Sequence, residues 1–446
     1  MVHAAVRAGR PAGAVVGRIR QRRLDLATTP GRLWLLLIGL ITLCLAWGAL
    51  SAFTAVHYSS AASSVVNVRE QLSLDAQQIY SHLSDANDAA ATAFLAPGPE
   101  SAATKTRYTN DIAAASSGIE QVTADGGATT GAAAQDLAVL AKFLPTYTQE
   151  MGDAEADNRL GLPVGSAYLR EASGLMRGTL LVSAKDLYAA ENASLSAASA
   201  QATGLPLVIV AVVVGVVVGF LLFRASRWLR GRTNRVLNVG LIAAGALLAV
   251  SVIWLAVAFL GARSDLLSAQ ARGSATVEAV AQASITAQEA HADESLTLID
   301  NTGRDSYEKD FGTQSAALGP GPGTLLSAAA AAAAGTPAEP AVTAAVSDAK
   351  AWFADHTALR ALDDHGQHAA AVGSALGTGA TDSGAAFARL SDDFAAAIHS
   401  DQAVFNSTAP AATSAYTGLA AVTIAAALLM AAACAWGLSR RIAEYR

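Results

Sequence analysis

The stretch Leu33–Val56 reads LWLLLIGLITLCLAWGALSAFTAV and contains no charged residue. At a rise of 1.5 Å per residue, a helix of this length can cross about 30 Å of hydrocarbon. Three further stretches of at least 20 residues are equally free of charge: Gly204–Phe223, Leu237–Leu260 and Gly418–Leu438. Hydrophobic residues make up 52% of the 446-residue chain and charged residues 15%, against about 25% charged residues in soluble domains. The sequence therefore predicts an all-α membrane protein with four transmembrane helices.

Basic residues are concentrated in three short segments beside these spans. Residues 1–32, 224–236 and 439–446 hold 15 of the 30 Lys and Arg residues but only 2 of the 36 Asp and Glu residues. An excess of Lys and Arg in short loops marks the cytoplasmic side. We therefore predict a multi-pass protein of the bacterial inner membrane with both termini inside the cell.

The two long segments between the spans, 57–203 and 261–417, hold 15 basic and 34 acidic residues, a net charge of −19. This charge argues against nucleic-acid binding. The only cysteines, Cys44 and Cys434, fall within predicted spans, so the outer segments must fold without disulfides. The predicted organisation is a cytoplasmic N-terminus (1–32), TM1 (33–56), outer bundle 1 (57–203), TM2 (204–223), a cytoplasmic Arg-rich loop (224–236), TM3 (237–260), outer bundle 2 (261–417), TM4 (418–438) and a cytoplasmic tail (439–446).

Proline and glycine clusters divide both outer segments into helices. In the first, they leave helices of about 57–96, 100–124, 129–158 and 164–203. The first of these carries an apolar seam with steps of four and three, typical of a helical bundle: Leu72, Ala76, Ile79, Leu83, Ala86, Ala90 and Phe94. In the second segment we expect helices at 262–300, 341–372 and 382–417, with an Ala-rich run at 328–334.

The two halves of the chain have the order of a tandem repeat. Phe94-Leu95 lies 61 residues after the start of the first span, and Leu298-Ile299 lies 61 residues after the start of the third. We therefore expect two tandem extracytoplasmic four-helix bundles related by a pseudo-two-fold axis. No breaker separates the first and last helices of the first bundle from their spans, so we expect continuous arms in which binding at the distal turns could shift one helix against another.

Catalytic motifs are missing from the sequence, which predicts a non-enzymatic protein without a cofactor. The nearest approach to a metal site is Asp363-Asp364-His365-x-x-His368. A solvated helix face explains these residues as well, and we assign no metal site. The spans carry no ionisable residue, which argues against a substrate pathway, and Gly215-x-x-x-Gly219 indicates either close helix packing or a lipid-facing surface.

The turn after the third helix of bundle 1 offers the best candidate binding residues: Asn158, Arg159, Tyr168 and Arg170. An arginine at this distal turn could form paired hydrogen bonds with the carboxylate of a ligand or partner. It could equally pair with Glu155, Asp157 or Glu171 of its own bundle. On the cytoplasmic side, the residues expected to contact lipid or a cytosolic partner are Arg224, Arg227, Arg230, Arg232 and Arg235.

Three segments carry a family resemblance: Thr28–Leu33 (TTPGRL), Asp75–Leu95 (DAQQIYSHLSDANDAAATAFL) and Asn158–Ser173 (NRLGLPVGSAYLREAS). They resemble the actinobacterial four-pass membrane sensors of the GlnX type. The resemblance implies a sensor that meets an extracytoplasmic lipoprotein loaded with aspartate or glutamate and signals to a cytosolic serine/threonine protein kinase. The recognisable motifs lie in the first half of the chain.

Topology independently restricts the function, because the cytoplasmic segments are too short to fold as domains. Any output must pass through a partner. We therefore predict a signal transducer, and the alternatives are a structural envelope scaffold or an accessory subunit of a transporter.

Overall fold

The structure, a computed structural model, describes residues 29–96, 101–126, 131–162, 164–233, 238–270, 274–299, 304–414 and 416–443. Within these ranges the regular elements are helices, and no strand is present. The α-helices are α1 (Thr29–Ser64), α2 (Glu70–Leu95), α3 (Ala102–Ala124), α4 (Ala132–Arg159), α5 (Val164–Leu175), α6 (Leu181–Thr203), α7 (Pro206–Thr233), α8 (Val239–Ala269), α9 (Ala275–Ile299), α10 (Arg304–Leu318), α11 (Leu325–Ala333), α12 (Glu339–Asp364), α13 (His368–Ala375), α14 (Ser383–Ser414) and α15 (Leu419–Ala443). π-Helical turns at Val65–Arg69 and Met176–Leu180 join α1 to α2 and α5 to α6.

Four apolar helical segments are long enough to cross a membrane, and they include α1, α7, α8 and α15. They coincide with the four predicted spans, which indicates a multi-pass membrane protein. The inward orientation of both termini stays a prediction. Most of the predicted cytoplasmic N-terminus and parts of the Arg-rich loop and the tail lie outside the described residues.

The chain forms two compact units. One, called here the bundle unit, consists of Leu50–Val213 and Ser251–Ile424. The other, the membrane unit, consists of Met1–Ala49, Val214–Val250 and Ala425–Arg446. Both outer segments thus fall within the bundle unit, and their division into two separate domains stays a prediction.

Helices α2–α6 of the bundle unit pack around an apolar core. The predicted seam of α2 faces this core: its residues from Leu72 to Ala90 are buried, and Phe94 packs against them half-buried. The observed helices begin and end within a few residues of the predicted ones, except that π-helical turns interrupt the first at Val65–Arg69 and the fourth at Met176–Leu180. Glycine and proline clusters therefore located these helices well.

Helices α9–α12 and α14 build a second core around Trp352 and Phe394, both fully buried. One expectation for this segment was wrong. The predicted helix 341–372 is broken at Gly366, whose φ of +77° is a left-handed conformation that favours glycine and ends α12. The stretch Arg304–Leu318, to which the sequence pattern gave no helix bounds, forms α10.

The two helical groups of the bundle unit share part of their core through α2 and α9, which pack against each other. Ile285, Ala292 and Leu296 of α9 belong to the core that α2–α6 surround. A smaller cluster closer to the apolar helices also joins both groups, with Val65 and Leu195 from the first group beside Leu266 of α8. The halves of the chain are thus packed together in one unit.

The prediction of continuous arms holds for the outgoing helix and fails for the returning one. The chain is helical without a break from Thr29 to Leu95. Between α6 and α7, however, Gly204 is extended, with φ −63° and ψ 142°. Pro206 disfavours a helical conformation at the residue before it, and Arg263 Nη1 donates a hydrogen bond of 2.6 Å to the carbonyl oxygen of Thr203 at the end of α6.

Within the membrane unit, glycine allows close helix packing at Gly240 and Gly437. A Cβ atom added to Gly240 would lie 2.3 Å from the carbonyl oxygen of Ala433 on α15. Asn238 reinforces this approach by donating a 3.1 Å hydrogen bond to the carbonyl oxygen of Gly437. A Cβ on Gly219, by contrast, would meet Leu248 at an ordinary 3.5 Å, so the predicted Gly-x-x-x-Gly motif is not where backbones come closest.

Candidate functional site

A row of buried polar side chains lies where α2 packs against α9. From α2 come Asp85 and Asp88, and from α9 come His291, Asp293 and Glu294. Asp88 and Asp293 have no solvent exposure, and Glu294 is 1% exposed. Buried charges are costly unless they are paired, so the partners of these groups decide how the two halves fit together.

Arg107 of α3 pairs with both acidic residues of α2. Its Nε donates to Asp85 Oδ2 at 3.0 Å, and its Nη2 donates to Asp88 Oδ2 at 2.9 Å and also contacts Asp85 Oδ1. The other oxygen of Asp88 lies 2.5 Å from Nδ1 of His291 on α9. Asp88 thus connects a cation of its own half with an imidazole of the other half.

The pKa values of this group follow from burial and pairing. Burial alone would lower the pKa of His291, but the charge and hydrogen bond of Asp88 outweigh it and raise that pKa. Burial likewise opposes the ionisation of Asp85, yet Arg107 holds the pKa of Asp85 below its usual value. Asp111, which lies 2.8 Å from Nδ1 of His82, has its pKa raised to about 6 by burial and by the neighbouring Asp85.

Glu294 is the centre of a second buried cluster. Ser383, at the start of α14, donates its hydroxyl to the two carboxylate oxygens at 2.7 and 2.9 Å. Nδ1 of His356 on α12 lies 2.6 Å from Glu294 Oε2, and its Nε2 lies 3.3 Å from Glu308. These two carboxylates raise the pKa of His356 although burial opposes the shift. Helices α9, α12 and α14 of the second half therefore meet at one carboxylate, and α10 reaches the cluster through the contact of Glu308 with His356.

Arg177 joins the halves a second time. Its Nη1 lies 2.6 Å from Asp293 Oδ1 and its Nη2 lies 3.1 Å from Oδ2, so the pairing is two-pronged. The same Nη2 reaches Asp310 of α10 at 3.3 Å. Burial raises the pKa of Asp293 to about 7 despite the opposing charge of Arg177. This arginine extends from the π-helical turn Met176–Leu180.

A cavity of 740 Å³ opens beside this polar row. Its lining combines the end of α2, the start of α3, the segment 375–378 after α13, the start of α14 and His291 of α9. The side chains of Arg107, Arg389 and Asp392 face it together with Phe387, whose ring stacks on His291 at 3.8 Å. The cavity therefore takes contributions from both halves of the bundle unit.

The four candidate residues at the α4–α5 turn lie on the surface and do not line this cavity. Asn158, Arg159, Tyr168 and Arg170 are all exposed. Arg159 contacts Glu155, one of the intra-bundle partners considered from the sequence, and Arg170 also has an interaction within the structure. Lys105 of α3 meets the same Glu155 at 2.9 Å, which places the start of α3 beside the end of α4.

Exposed apolar side chains surround these candidates. Leu160 is 73% exposed, and Leu162, Val164 and Tyr168 are also exposed. We call Arg159, Leu160, Leu162, Val164, Tyr168 and Arg170 the turn patch. An exposed apolar patch with a charged rim is typical of a protein interaction surface. Two outer arms of equal length would also bring Pro97-Gly98-Pro99 to this turn, but these residues lie outside the described ranges.

The structure describes the side chains of three of the five arginines predicted to face the cytoplasm. Arg224, Arg227 and Arg230 lie exposed near the end of α7. Of Arg232 only the backbone is described, and Arg235 lies outside the described residues.

The Asp363–His368 segment spans the break between α12 and α13. Asp363 accepts hydrogen bonds from Arg360 at 2.8 Å and contacts His368 Nδ1 at 2.8 Å. Pairing of these residues with one another thus accounts for the cluster of Asp and His residues in this segment. Among the described residues no group of His, Cys, Asp and Glu has the arrangement of a metal site.

Comparison with known proteins gives one match. Residues 61–200 match the family model described as Actinobacterial sensor domain. The matched segment begins in α1, includes α2–α5 and ends within α6. No curated protein and no solved structure matches the chain. The match supports an actinobacterial sensor, which is the coarser part of the resemblance found in the sequence.

Proposed function

We propose that the chain is a non-enzymatic membrane sensor whose bundle unit binds a ligand-loaded solute-binding lipoprotein and relays the signal to a cytosolic serine/threonine kinase. The observation that carries the sensor role is the match of residues 61–200 to a sensor domain. The same residues lead away from the apolar helix α1 and return towards the apolar helix α7. The amino-acid class of the ligand, aspartate or glutamate, rests on the resemblance of the sequence motifs.

The turn patch is the surface we propose for the lipoprotein. Its exposed leucine, valine and tyrosine side chains would lose water on docking, and such burial is the main favourable contribution to association. Arg159 and Arg170 flank the apolar centre and favour a partner with acidic groups around an apolar contact. Within the acidic outer segments, with their net charge of −19, these two exposed arginines offer positive groups that an acidic partner can contact at this turn.

The helical run from Thr29 to Leu95 supports a relay along α1 and α2. A helix without a break transmits a shift of its far end, whereas the break at Gly204 lets the returning helix adjust separately. Arg107 and Arg177 tie the first half to α9 through Asp88 and Asp293. A shift in the position of α2 would therefore displace residues of both halves.

On the cytoplasmic side the proposed contact is the Arg-rich end of α7. Arg224, Arg227 and Arg230 present exposed guanidinium groups that suit either anionic lipid or an acidic face of a kinase. Movement of α7 would change how these groups are presented to the partner.

Site-specific photocrosslinking in living cells tests the docking step. A photoreactive phenylalanine analogue replaces Tyr168, and the matched control carries it at Val182, an exposed residue of α6. We expect the position 168 variant to capture a solute-binding lipoprotein, with more product when aspartate or glutamate is added to the medium. Arg159→Ala in the same variant should reduce the yield, because the charge that faces the partner is lost.

Equal capture at positions 168 and 182, or capture that ignores both amino acids, would contradict the docking proposal and favour a scaffold. The kinase step has its own readout: deletion of the gene should remove the response of cytosolic substrate phosphorylation to the two amino acids. An envelope defect with unchanged phosphorylation would contradict that step.

A further inference from the structure

We infer that the cavity between α3 and α14 binds a small organic carboxylate directly, separately from the docking of a protein at the turn patch. The cavity measures 740 Å³, which falls in the range of about 300–1,000 Å³ typical of small-molecule sites. Its lining comes from both halves of the bundle unit, so one ligand would contact both.

Two helices begin at this cavity. Ser101 caps the start of α3, with its hydroxyl accepting a 3.0 Å hydrogen bond from the backbone N–H of Thr104, and both residues line the cavity. Gly384 and Ala385 in the first turn of α14 line it from the opposite half. The N-terminal turns of helices present N–H groups and partial positive charge, which favour anions.

Two arginine side chains add donors for an anion. Arg107 uses Nε and Nη2 on Asp85 and Asp88, and its Nη1 has no hydrogen-bond partner among the described residues. Arg389 makes one long contact, from Nε to Asp348 at 3.4 Å. Its two terminal nitrogens are therefore available within the described part of the chain. Guanidinium groups bind carboxylates through paired, charge-assisted hydrogen bonds.

His291 forms part of the cavity wall. It is only 5% exposed, and its ring stacks on Phe387, which also lines the cavity. Its Nε2 has no hydrogen-bond partner in the described structure, and Oε1 of Glu294 lies 4.0 Å away, which is beyond hydrogen-bond range. That nitrogen is closed to solvent, so His291 shapes the wall and the donors for a ligand come from the arginines.

Asp392 makes the cavity selective for carboxylates over more highly charged anions. Its side chain lines the same cavity, and it would repel a phosphate more strongly than a ligand with a single carboxylate, because phosphate carries more negative charge at neutral pH. The ring of Phe387 and the methyl groups of Ala375 and Ala388 supply apolar surface for the carbon skeleton of an organic acid. The lining thus fits a small carboxylate with an apolar part.

Backbone packing holds the cavity in shape. A Cβ atom on Gly384 would lie 2.2 Å from the carbonyl oxygen of Ala375, so only glycine lets the first turn of α14 approach the end of α13 this closely. Ser383, the preceding residue, is fixed by its two hydrogen bonds to Glu294. A ligand held between α3 and α14 would favour the packing in which the halves stay together.

Calorimetry on the purified full chain in lipid nanodiscs tests this inference without any partner protein. The probes are L-lactate and propionate, with propylene glycol as the analogue of lactate that lacks a carboxylate and inorganic phosphate as the competing anion. We expect both carboxylates to bind with Kd below about 10 mM and to raise Tm, and propylene glycol and phosphate to bind more weakly.

Arg389→Gln should weaken carboxylate binding by about tenfold or more, as the loss of a charge-assisted hydrogen bond predicts. Arg389 is 44% exposed at its side chain, so this change should leave Tm without ligand unaltered. The charge-matched control is Lys309→Gln on α10, an exposed residue away from the cavity, which should bind like the unaltered chain.

No binding of either carboxylate, equal binding by the Arg389 variant, or tighter binding of phosphate would overturn the inference. Because no lipoprotein is present, such a failure would leave docking at the turn patch untouched. Conversely, a failed crosslink at position 168 would not affect carboxylate binding in the cavity.

Discussion

Asp88 and His291 meet side by side across the two halves of the chain, with Oδ1 of the aspartate 2.5 Å from Nδ1 of the histidine. They are 203 positions apart, and the same separation divides Asp85 from Gln288, which donates to it at 3.3 Å. Glu70 and Ser274, linked at 2.6 Å, are 204 positions apart. The repeat of Phe94-Leu95 in Leu298-Ile299 has a shift of 204 as well. Residues 203 or 204 positions apart therefore face each other along α2 and α9, which run parallel, close to the shift of the predicted repeat.

This pairing puts charge where a bundle seam is usually apolar. A buried ion pair adds little net stability compared with an apolar pair of the same size, but it disfavours any packing that leaves one partner alone. Asp88 pairs with both Arg107 and His291, and Arg177 pairs with both Asp293 and Asp310. The contact between the halves is thus specific in register.

Replacement of Asp88 should be strongly destabilising. Asp88→Ala leaves Arg107 with one acidic partner and removes the acceptor of the buried His291, so we expect a loss of about 3–5 kcal/mol in the free energy of unfolding. Denaturant titration in detergent, followed by circular dichroism, measures it. The control Asp153→Ala changes an exposed residue of α4 and should cost less than about 0.5 kcal/mol. Equal losses in the two variants would contradict the role of the pair.

Stability should fall as pH rises from 5 to 8. Burial raises the pKa of Asp293 to about 7 and that of Asp111 to about 6, so the folded state keeps protons that the unfolded state has already released above about pH 4. The stabilisation from these protons is complete at low pH and is lost as pH passes 6 and then 7. His291 and His356 act in the same direction, since their raised pKa values give stability that is present below about pH 6.5 and lost as pH rises through the folded values.

Measurement of Tm against pH checks this expectation, with Asp293→Asn as the informative variant. Charged neighbours of Asp293 are Arg177, Asp310 and Glu289, and an amide in its place cannot release a proton. The slope of Tm near pH 7 should therefore decrease in this variant and persist in Asp153→Asn. The pKa of Asp85 is lowered, so its ionisation changes stability in the opposite direction. That effect is confined to pH values below its ordinary pKa of 3.8. A flat profile in the unaltered chain would contradict the expectation.

Local sequence signals were sufficient for most of the helices. The four apolar stretches and the breakers around Gly98, Gly126 and Gly161 depend on neighbours along the chain, and the corresponding helices were predicted. The break at Gly204 was missed although Gly204-Leu205-Pro206 carries a signal for it. The break at Gly366 is harder, because a single glycine within a helical pattern is usually tolerated.

The buried polar row could not be located from one sequence in the same way. Asp88 and His291 are ordinary polar residues on the pattern of their own helices, and only the contact of α2 with α9 buries them. The density of polar residues in Gln288–Ser295, within a helix that otherwise has an apolar face, was the available signal. From the sequence we selected Arg159 and Tyr168 as candidate binding residues instead, and these two lie exposed on the turn patch.

Reporter fusions should confirm the orientation that the arginine distribution predicts. Alkaline phosphatase, which is active only outside the cytoplasm, should be active when fused after Gln135 or Ala351 and inactive after Asn234. The physical reason is the concentration of half the basic residues in 53 positions beside the spans, which keeps these segments on the inner face. Activity after Asn234 with none after Gln135 would reverse the topology and exclude an extracytoplasmic role for the bundle unit.

Gly240→Ala should separate α8 from α15 in the membrane unit. The new Cβ would lie 2.3 Å from the carbonyl oxygen of Ala433 and 2.7 Å from Cα of Gly437, and backbone atoms cannot move aside as a flexible side chain can. In membranes, close backbone contact through small residues supplies much of the packing energy between helices, so Tm in detergent should drop. Gly245→Ala is the matched control on the same helix, because nothing lies within 4 Å of its added Cβ. Since alanine is also the better helix former, that variant should be neutral or slightly stabilised, and a Tm loss equal to that of Gly240→Ala would contradict the close contact.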